Sequence, residues 1–385
     1  MLKRILFVGN YPNTVDKNLY VFFKNLICAI ADQGVECYVI SPVSVTKYRR
    51  KLSLIPKESE EITKKGNRVK VYYPRYVSAS SRKIGPFRTA HITQHNYNRA
   101  VEKKIRKLNV PFDAAYGHFF LGGGLAVAHI GRCFKIPTFV AYGESSYETQ
   151  VRNPYGEISR KEVEGISGII SVSNKNTKEL YNAGVFEGIP VQTIENAVDL
   201  AKFNRITYSE AREKFNFPKN DFIVGFVGSF IERKGDKRIL KACEGLEDVK
   251  LAFAGKGVDS PSGSNVIFCK SVNNEEIGDF LASLDAFCLP TLNEGCCNAV
   301  LEAMAAGKAI ISSDLPFNDG VLTAENSIRV NPGNIEEIRE AIVKLRDNVK
   351  LRTALSEQAK EDSKNFTIEK RANKILNFIN GFVGV

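Results

Sequence analysis

Several residue types that support common kinds of site are scarce in this chain of 385 residues. It has no tryptophan and only four histidines, and its eight cysteines include no C-x-x-C pair. The sequence therefore has no zinc-finger spacing, and we expect neither a metal site nor a cofactor. The cysteines fit buried free thiols in a reducing compartment, which predicts a cytoplasmic protein.

Long apolar runs are missing as well. No run reaches the roughly 18 residues of a membrane-spanning helix. The apolar run within residues 1–9 is too brief for a signal sequence, so we expect it to be the first buried strand. Hydrophobic residues at 43% and charged residues at 25% are globular values, and the length allows two domains.

The positive charge is concentrated in one segment. The chain carries a net charge of +11, whereas residues 47–107 alone hold 18 Lys and Arg against 4 Asp and Glu. Tyrosines and aliphatic residues are interleaved with these basic side chains. The segment fits a solvated, mobile insertion, but it also fits an anionic bilayer, a phosphorylated acceptor or nucleic acid.

Strand-like and helix-like runs alternate from the start of the chain. This alternation predicts an α/β fold with parallel sheets and helices on both faces. Ligands collect at the carboxyl ends of strands in such folds. Polar residues at predicted strand ends in the first half are therefore candidates for ligand binding. They are Asn10, His118, Tyr142 and Glu144.

Residues 285–307 read D-A-F-C-L-P-T-L-N-E-G-C-C-N-A-V-L-E-A-M-A-A-G, which predicts a strand, a loop and a helix. Glu294 precedes the helix and Glu302 lies about one turn inside it. Free backbone N–H groups near Asn298 would face an anion held between the two carboxylates. A nucleotide-sugar has hydroxyls at both ends and phosphate in the middle. The alternative is that Glu294 only interacts favourably with the helix dipole and that Glu302 is exposed to solvent.

This stretch resembles the E-x7-E signature of the family 4 retaining glycosyltransferases, together with the preceding D-x-x-x-x-P. The resemblance implies the GT-B fold, in which two Rossmann-like domains face each other across a cleft and a C-terminal helix often crosses back to the first domain. It implies that Glu294 touches hydroxyls of the donor sugar and Glu302 holds the ribose. The adjoining residues expected to bind the donor are Gly295, Cys296, Cys297 and Asn298.

A second element follows the predicted strand 222–228. Gly228 would let a ligand approach the backbone, and Arg233 and Lys234 would meet a diphosphate before a helix N-terminus. A surface turn with two stray basic residues is the alternative. The resemblance implies that these cations offset the charge that grows on the leaving nucleoside diphosphate, and that Gly257 lies close to the nucleobase.

In the first half the resemblance is weaker. Many relatives have a His-Gly pair after the strand that corresponds to residues 136–141, but this chain has Tyr142-Gly143. Asn10, His118, Tyr142 and Glu144 are therefore candidates for acceptor binding, while a structural role is the alternative for His118.

The expected domains are an acceptor-binding domain (1–196), a linker (197–219), a nucleotide-sugar-binding domain (220–366) and a terminal helix (367–385). The predicted activity is transfer of a sugar, with retention and without a metal, from a UDP-sugar or another nucleoside-diphosphate sugar to a saccharide or lipid-linked saccharide. The basic segment suggests a peripheral location on the inner face of the cell membrane. A GT-B nucleotide-sugar epimerase and a non-catalytic protein that binds nucleic acid through residues 47–107 are the alternatives, although nucleic acid is the less expected partner.

Overall fold

The chain forms two compact α/β units. The computed structural model describes residues 2–79, 82–85 and 87–383. One unit extends to Ile194 and includes the stretch from Ile368 onward, and the other is Glu195–Thr367. None of the helices in the described ranges is long and apolar enough to cross a membrane.

The first unit is built on an eight-stranded sheet. All neighbouring strands are parallel except the last pair, which is antiparallel. The spatial order of the strands is Val191–Thr193, Gly168–Ser171, Thr138–Tyr142, Ala114–His118, Arg4–Val8, Glu36–Ile40, Arg68–Tyr72 and Glu58–Ile62. The predicted parallel α/β architecture is confirmed.

The strand Arg4–Val8 shows how the sheet separates two cores. Its side chains alternate between the faces because successive residues of a strand point in opposite directions. Ile5 and Phe7 join one fully buried cluster, and Leu6 and Val8 join the other. Both faces are apolar, as expected for a parallel sheet covered by helices on both sides.

Helices cover both faces of this sheet. The last helix of the chain, Ile368–Asn380, packs beside Val21–Ala31 and buries Ile375 and Ile379 in the first unit. The other α-helices of the unit in the described residues are Val45–Tyr48, Ala90–Leu108, Leu125–Phe134, Asn153–Tyr155, Arg160–Val163 and Asn174–Asn182.

The basic segment 47–107 forms regular structure over most of its length. Glu58–Ile62 and Arg68–Tyr72 form a hairpin that extends the sheet, and Ala90–Leu108 is a long helix. The helix buries Tyr97, Val101 and Ile105, so this part of the segment is anchored in the core. Arg49–Leu54 is an exposed 3-10 helix.

The second unit has six parallel strands in the order Val266–Lys270, Val249–Gly257, Phe222–Phe230, Ala286–Leu289, Ala309–Ser313 and Ser327–Val330. The strand order reverses between Phe222–Phe230 and Ala286–Leu289. Such a reversal is the position at which ligands bind in open α/β sheets. The α-helices of the unit are Tyr208–Phe215, Asp236–Ala242, Ile277–Ala282, Asn298–Ala305, Ile335–Asp347 and Val349–Ser363.

Residues 197–219, which the sequence analysis interprets as a linker, are part of the second unit. The helix Tyr208–Phe215 begins at a capping box formed by Thr207 and Glu210. Arg212 is 1% exposed and pairs with Asp285 at 2.5 Å. The guanidinium also donates to the Ser283 carbonyl at 3.1 Å. The segment is polar in composition, but its Arg212 side chain is buried and anchors it to the rest of the unit.

Replacement of this anchor should destabilise the second unit. Arg212→Ala leaves the Asp285 carboxylate and several carbonyls without their buried donor, which typically costs about 3–5 kcal/mol. Urea unfolding should therefore begin at a lower concentration in this variant. Lys219→Ala removes the same charge from an exposed position of the segment and should change the midpoint little. Equal effects of the two substitutions would contradict the anchoring role of Arg212.

Candidate functional site

Two loops of the second unit are joined directly beyond the carboxyl ends of its central strands. The Leu292 N–H donates to the Arg233 carbonyl at 2.8 Å, and the Thr291 hydroxyl donates to the same oxygen at 3.1 Å. Gly235 has a φ of +85°, and a Cβ there would lie 2.7 Å from the Pro290 carbonyl oxygen. The glycine therefore allows the two loops to pack together.

These loops bring together three residues predicted from their separate motifs. The Glu294 carboxylate lies 2.5 Å from the Arg233 guanidinium and 2.6 Å from the Lys234 ammonium. The Thr291 hydroxyl donates to the same oxygen, Oε1, at 3.2 Å. Among the described residues, Oε2 has no hydrogen-bond partner. The cluster holds two positive charges against one negative charge and leaves one carboxylate oxygen for a ligand.

The helix Asn298–Ala305 begins beside this cluster. Its N-terminal flank consists of the buried residues Cys296 and Cys297. The Asn196 side chain donates to Asn298 Oδ1 at 2.9 Å and to the Cys296 carbonyl at 3.2 Å. Asn196 therefore orients the start of the helix. The sequence analysis does not assign Asn196 to the site, because 100 residues separate it from Cys296.

Glu302 lies on the second turn of this helix. Burial raises the pKa of its carboxyl to about 7, and the nearby Lys202 opposes this shift. No protein group among the described residues forms a hydrogen bond with the Glu302 carboxylate. The residue is therefore desolvated without a compensating partner, a state that a hydroxyl of a bound ligand would relieve.

Glycines in the central strands allow the backbones of neighbouring strands to approach closely. A Cβ on Gly255 would lie 1.8 Å from the Gly228 carbonyl oxygen, and a Cβ on Gly257 would lie 2.2 Å from that of Phe230. Residues 255–257 continue the strand Val249–Gly257 and pair with residues up to Phe230. The absence of a Cβ at Gly255 and Gly257 allows this extension, although glycine is not normally a signal for a strand.

In the first unit, His118 lies at the end of its strand among aromatic rings. Its imidazole stacks on Phe23 with a centroid distance of 4.4 Å. Burial lowers the pKa of His118 to about 3, and Nδ1 has no hydrogen-bond partner. The side chain is therefore neutral and embedded in an aromatic cluster. Asn10 is exposed just beyond the strand Arg4–Val8.

Tyr142 and Glu144 both face the protein interior. The Tyr142 hydroxyl donates to Glu179 at 3.1 Å. The Glu144 carboxylate accepts from the N–H groups of Phe120 at 2.6 Å and Gly143 at 2.9 Å. Burial raises the pKa of Glu144 to about 7, although these backbone donors lower it. Glu144 therefore joins the segments beyond two adjacent strands, whereas Tyr142 contacts the helix Asn174–Asn182.

Comparisons with known proteins agree with this fold. Residues 207–362 match the family model for glycosyl transferases group 1. The chain is 24% identical over 361 residues to a Bacillus subtilis protein named as a teichuronic acid biosynthesis glycosyltransferase, TuaC, and the alignment covers 89% of this chain and 88% of that protein. It is 26% identical over 368 residues to the N,N'-diacetylbacillosaminyl-diphospho-undecaprenol alpha-1,3-N-acetylgalactosaminyltransferase of Campylobacter jejuni, with 90% and 91% covered.

Solved structures share the fold over nearly the whole chain. Sucrose-phosphate synthase from Thermosynechococcus elongatus superposes with a TM-score of 0.77 at 16% identity and covers 98% of both chains. The Anabaena protein HepE in complex with UDP-glucose has a TM-score of 0.70 at 15% identity, covering 98% of this chain and 99% of that chain. The chain therefore has the GT-B fold of glycosyltransferases. Its second unit contains a glycosyl transferases group 1 domain, which confirms the resemblance at that level.

The raised pKa of Glu302 predicts a pH-dependent stability. The folded pKa of Glu302, about 7, exceeds its ordinary value of 4.5, so ionisation of this carboxyl destabilises the folded protein. The folded state is free of this penalty below pH 4.5 and bears it in full once the pH has risen through 7. Glu302→Gln removes this penalty and should stabilise the ligand-free protein by about 1–3 kcal/mol at pH 8, with little gain at pH 5.

Urea denaturation at both pH values measures this difference. Glu357→Gln, which removes an exposed carboxylate from the same unit, is the matched control and should show no such pH-dependent gain. A Glu302→Gln protein with the same stability difference at pH 5 and pH 8 would refute the assigned burial of the charge.

Proposed function

We propose that this protein is a retaining glycosyltransferase of family 4 that transfers a sugar from a nucleoside-diphosphate sugar, with UDP as the expected nucleotide, to an acceptor hydroxyl. The observation that carries the proposal is the pairing of Glu294 with both Arg233 and Lys234 where the strand order reverses. A cationic pair that is already held in place, next to a helix N-terminus, suits a diphosphate.

The donor would occupy the second unit in a defined order. The diphosphate meets Arg233, Lys234 and the backbone N–H groups at Asn298, while Glu302 accepts the hydroxyls of the ribose. The free Oε2 of Glu294 is then available to the hydroxyls of the sugar. Gly228, Gly295, Cys296, Cys297 and Gly257 shape the surrounding loops. HepE, which shares the fold, has a structure with UDP-glucose, and this supports a donor of that class.

The residues suit a reaction that needs charge stabilisation more than a protein base. The bond between the anomeric carbon and the diphosphate oxygen breaks, and an acceptor oxygen attacks from the same face. The acceptor proton passes to the departing phosphate oxygen. Arg233 and Lys234 would stabilise the negative charge that develops on the leaving group, without a metal. Glu294 positions the sugar and is not assigned as a nucleophile.

The acceptor is proposed to be a saccharide or lipid-linked saccharide used for a cell-surface polymer. This proposal is supported by the relatives, one named for teichuronic acid biosynthesis and another for transfer involving a diphospho-undecaprenol compound. In the first unit, Asn10 is the exposed candidate for acceptor contact. His118, Tyr142 and Glu144 would act by positioning the loops at the carboxyl edge of their sheet.

Nucleotide binding should separate the roles of the two parts of the donor site. Arg233→Ala and Lys234→Ala should each weaken UDP binding by about 10–100-fold, because a charge-assisted contact is lost, and should leave uridine binding unchanged. Glu302→Ala should weaken UDP and uridine by a similar factor. Titration calorimetry with both ligands measures these ratios.

The exposed Lys237 lies close to the proposed diphosphate site in sequence, so Lys237→Ala is the matched control. UDP affinity that is unchanged in all three site variants would overturn the site assignment. If UDP-sugars bind but are only epimerised in the presence of saccharide acceptors, the transferase proposal fails although the donor site stands.

A peripheral membrane location is proposed from the exposed 3-10 helix Arg49–Leu54. Arg49, Arg50 and Lys51 are exposed, and the Leu54 side chain at its end is 63% exposed. Basic side chains beside an exposed aliphatic residue suit the interface of an anionic bilayer, where each cation contributes about 1 kcal/mol. Ile84, farther along the basic segment, is 64% exposed.

Reversal of this charge should release the protein from anionic vesicles. The triple variant Arg49→Glu/Arg50→Glu/Lys51→Glu should lower the affinity for vesicles containing phosphatidylglycerol at least about tenfold in a sedimentation assay. Lys344→Glu/Lys350→Glu/Lys360→Glu makes the same charge change on exposed positions of the second unit and is the control. Unchanged vesicle binding by the first variant would contradict the proposal, and salt-sensitive RNA binding without vesicle binding would favour the nucleic-acid alternative.

A further inference from the structure

Three side chains with metal-binding atoms converge in the first unit, away from the residues discussed above. Glu102 belongs to the helix Ala90–Leu108, and His129 and Cys133 belong to Leu125–Phe134. His129 Nε2 lies 2.8 Å from Glu102 Oε2 and 3.6 Å from Cys133 Sγ. One ligand atom of each residue lies within 4.8 Å of those of the other two.

The packing of the two helices fixes this convergence. His129 and Cys133 are four residues apart, so they project from the same face of their helix. The two helices pack against each other, and Val101 and Ile105 share a buried cluster with Val127 and Ile130. The backbone positions of all three ligand residues are therefore set by the core of the unit.

Arg106 holds the Glu102 carboxylate in a suitable orientation. Its Nη2 and Nε donate to Oε1 at 2.8 and 3.0 Å, which leaves Oε2 for the His129 side. Outer hydrogen bonds of this kind orient the ligands of metal sites.

Side-chain adjustments are needed to reach the geometry of a tetrahedral zinc site, because Cys133 Sγ also lies 3.9 Å from His129 Nδ1 and is therefore beside the imidazole ring rather than beyond Nε2. Metal bonds of about 2.3 Å to sulfur and 2.0–2.1 Å to nitrogen place those two atoms about 3.6 Å apart in a tetrahedron. The observed distance between Cys133 Sγ and His129 Nε2 is 3.6 Å. The Glu102 oxygen would have to withdraw from His129 by about 0.6 Å to reach tetrahedral spacing. The side chain of a glutamate can make that adjustment.

An ion has access to this cluster from solvent. Cys133 is exposed, and Glu102 and His129 are partly exposed. Three protein ligands and an open side leave a fourth position for water.

We propose that Glu102, His129 and Cys133 bind one divalent cation of the zinc class, which links the helices Ala90–Leu108 and Leu125–Phe134. Thiolate, imidazole and carboxylate together favour Zn²⁺ over Mg²⁺ or Ca²⁺, which prefer oxygen ligands. The helix Leu125–Phe134 ends near the amino end of the strand Thr138–Tyr142, whereas His118 and Glu144 lie at carboxyl ends. The site is therefore distinct from the candidate residues of the transferase, and the ion acts on the structure of the first unit.

Competition between the full-length protein and a fluorescent zinc chelator tests the proposal. After treatment with a chelator and a reducing agent, the protein should bind one equivalent of Zn²⁺. Cys133→Ser, His129→Gln and Glu102→Gln should each weaken binding at least about tenfold. The controls are Cys269→Ser and His95→Gln, which change a thiol in the second unit and an exposed imidazole on the helix that carries Glu102.

Co²⁺ gives a second readout that a merely structural role of these residues would not produce. The cobalt-loaded protein should show a sulfur-to-metal charge-transfer band that is absent in Cys133→Ser and retained in Cys269→Ser. Melting temperatures without metal verify that each variant is folded. The proposal is overturned if one equivalent does not bind, if Cys133→Ser binds Zn²⁺ as tightly as the unaltered protein, or if the control substitutions weaken binding equally.

Discussion

The candidate donor site depends on a half-buried carboxylate that is held between two cations. Glu294, with 12% of its side chain exposed, would be costly to bury as a charge without Arg233 and Lys234. The contact also ties the loop after one central strand to the loop after its neighbour. The net charge that remains is positive, and it is already in place before an anion arrives. Such preorganisation avoids the cost of gathering like charges when a diphosphate binds.

The strand order and the close packing of the sheet determine where this cluster lies. Arg233 and Glu294 are far apart in sequence, but the strands that precede their loops are neighbours. Close packing of the adjacent strands beyond Gly228 requires Gly255 and Gly257, since a Cβ at either position would clash with a backbone oxygen. Gly257, which the resemblance places near the nucleobase, therefore acts first on the sheet that supports the ligand loops.

Local patterns predict the alternation of strands and helices, and they single out Arg233, Lys234 and Glu294, but they do not predict the strand Glu58–Ile62. The predicted features depend on apolar periodicity or on motifs within about 25 residues. The polar segment around Arg212 was harder to interpret, because its role depends on Asp285 and carbonyls elsewhere in the unit. Asn196 and the Glu102–His129–Cys133 cluster were missed for the same reason. Side chains that meet only after helices and loops pack leave no fixed spacing in the sequence.

Two buried carboxyls, one in each unit, show how contacts distinguish a structural group from a candidate ligand contact. The pKa of each is raised to about 7 by burial. Glu144 accepts two backbone N–H groups, so the protein itself satisfies the desolvated carboxylate. Glu302 has no such donor among the described residues, and its desolvation is offset only by the more distant charge of Lys202. A ligand hydroxyl can therefore gain more from Glu302 than from Glu144, which agrees with the proposal of a donor site in the second unit.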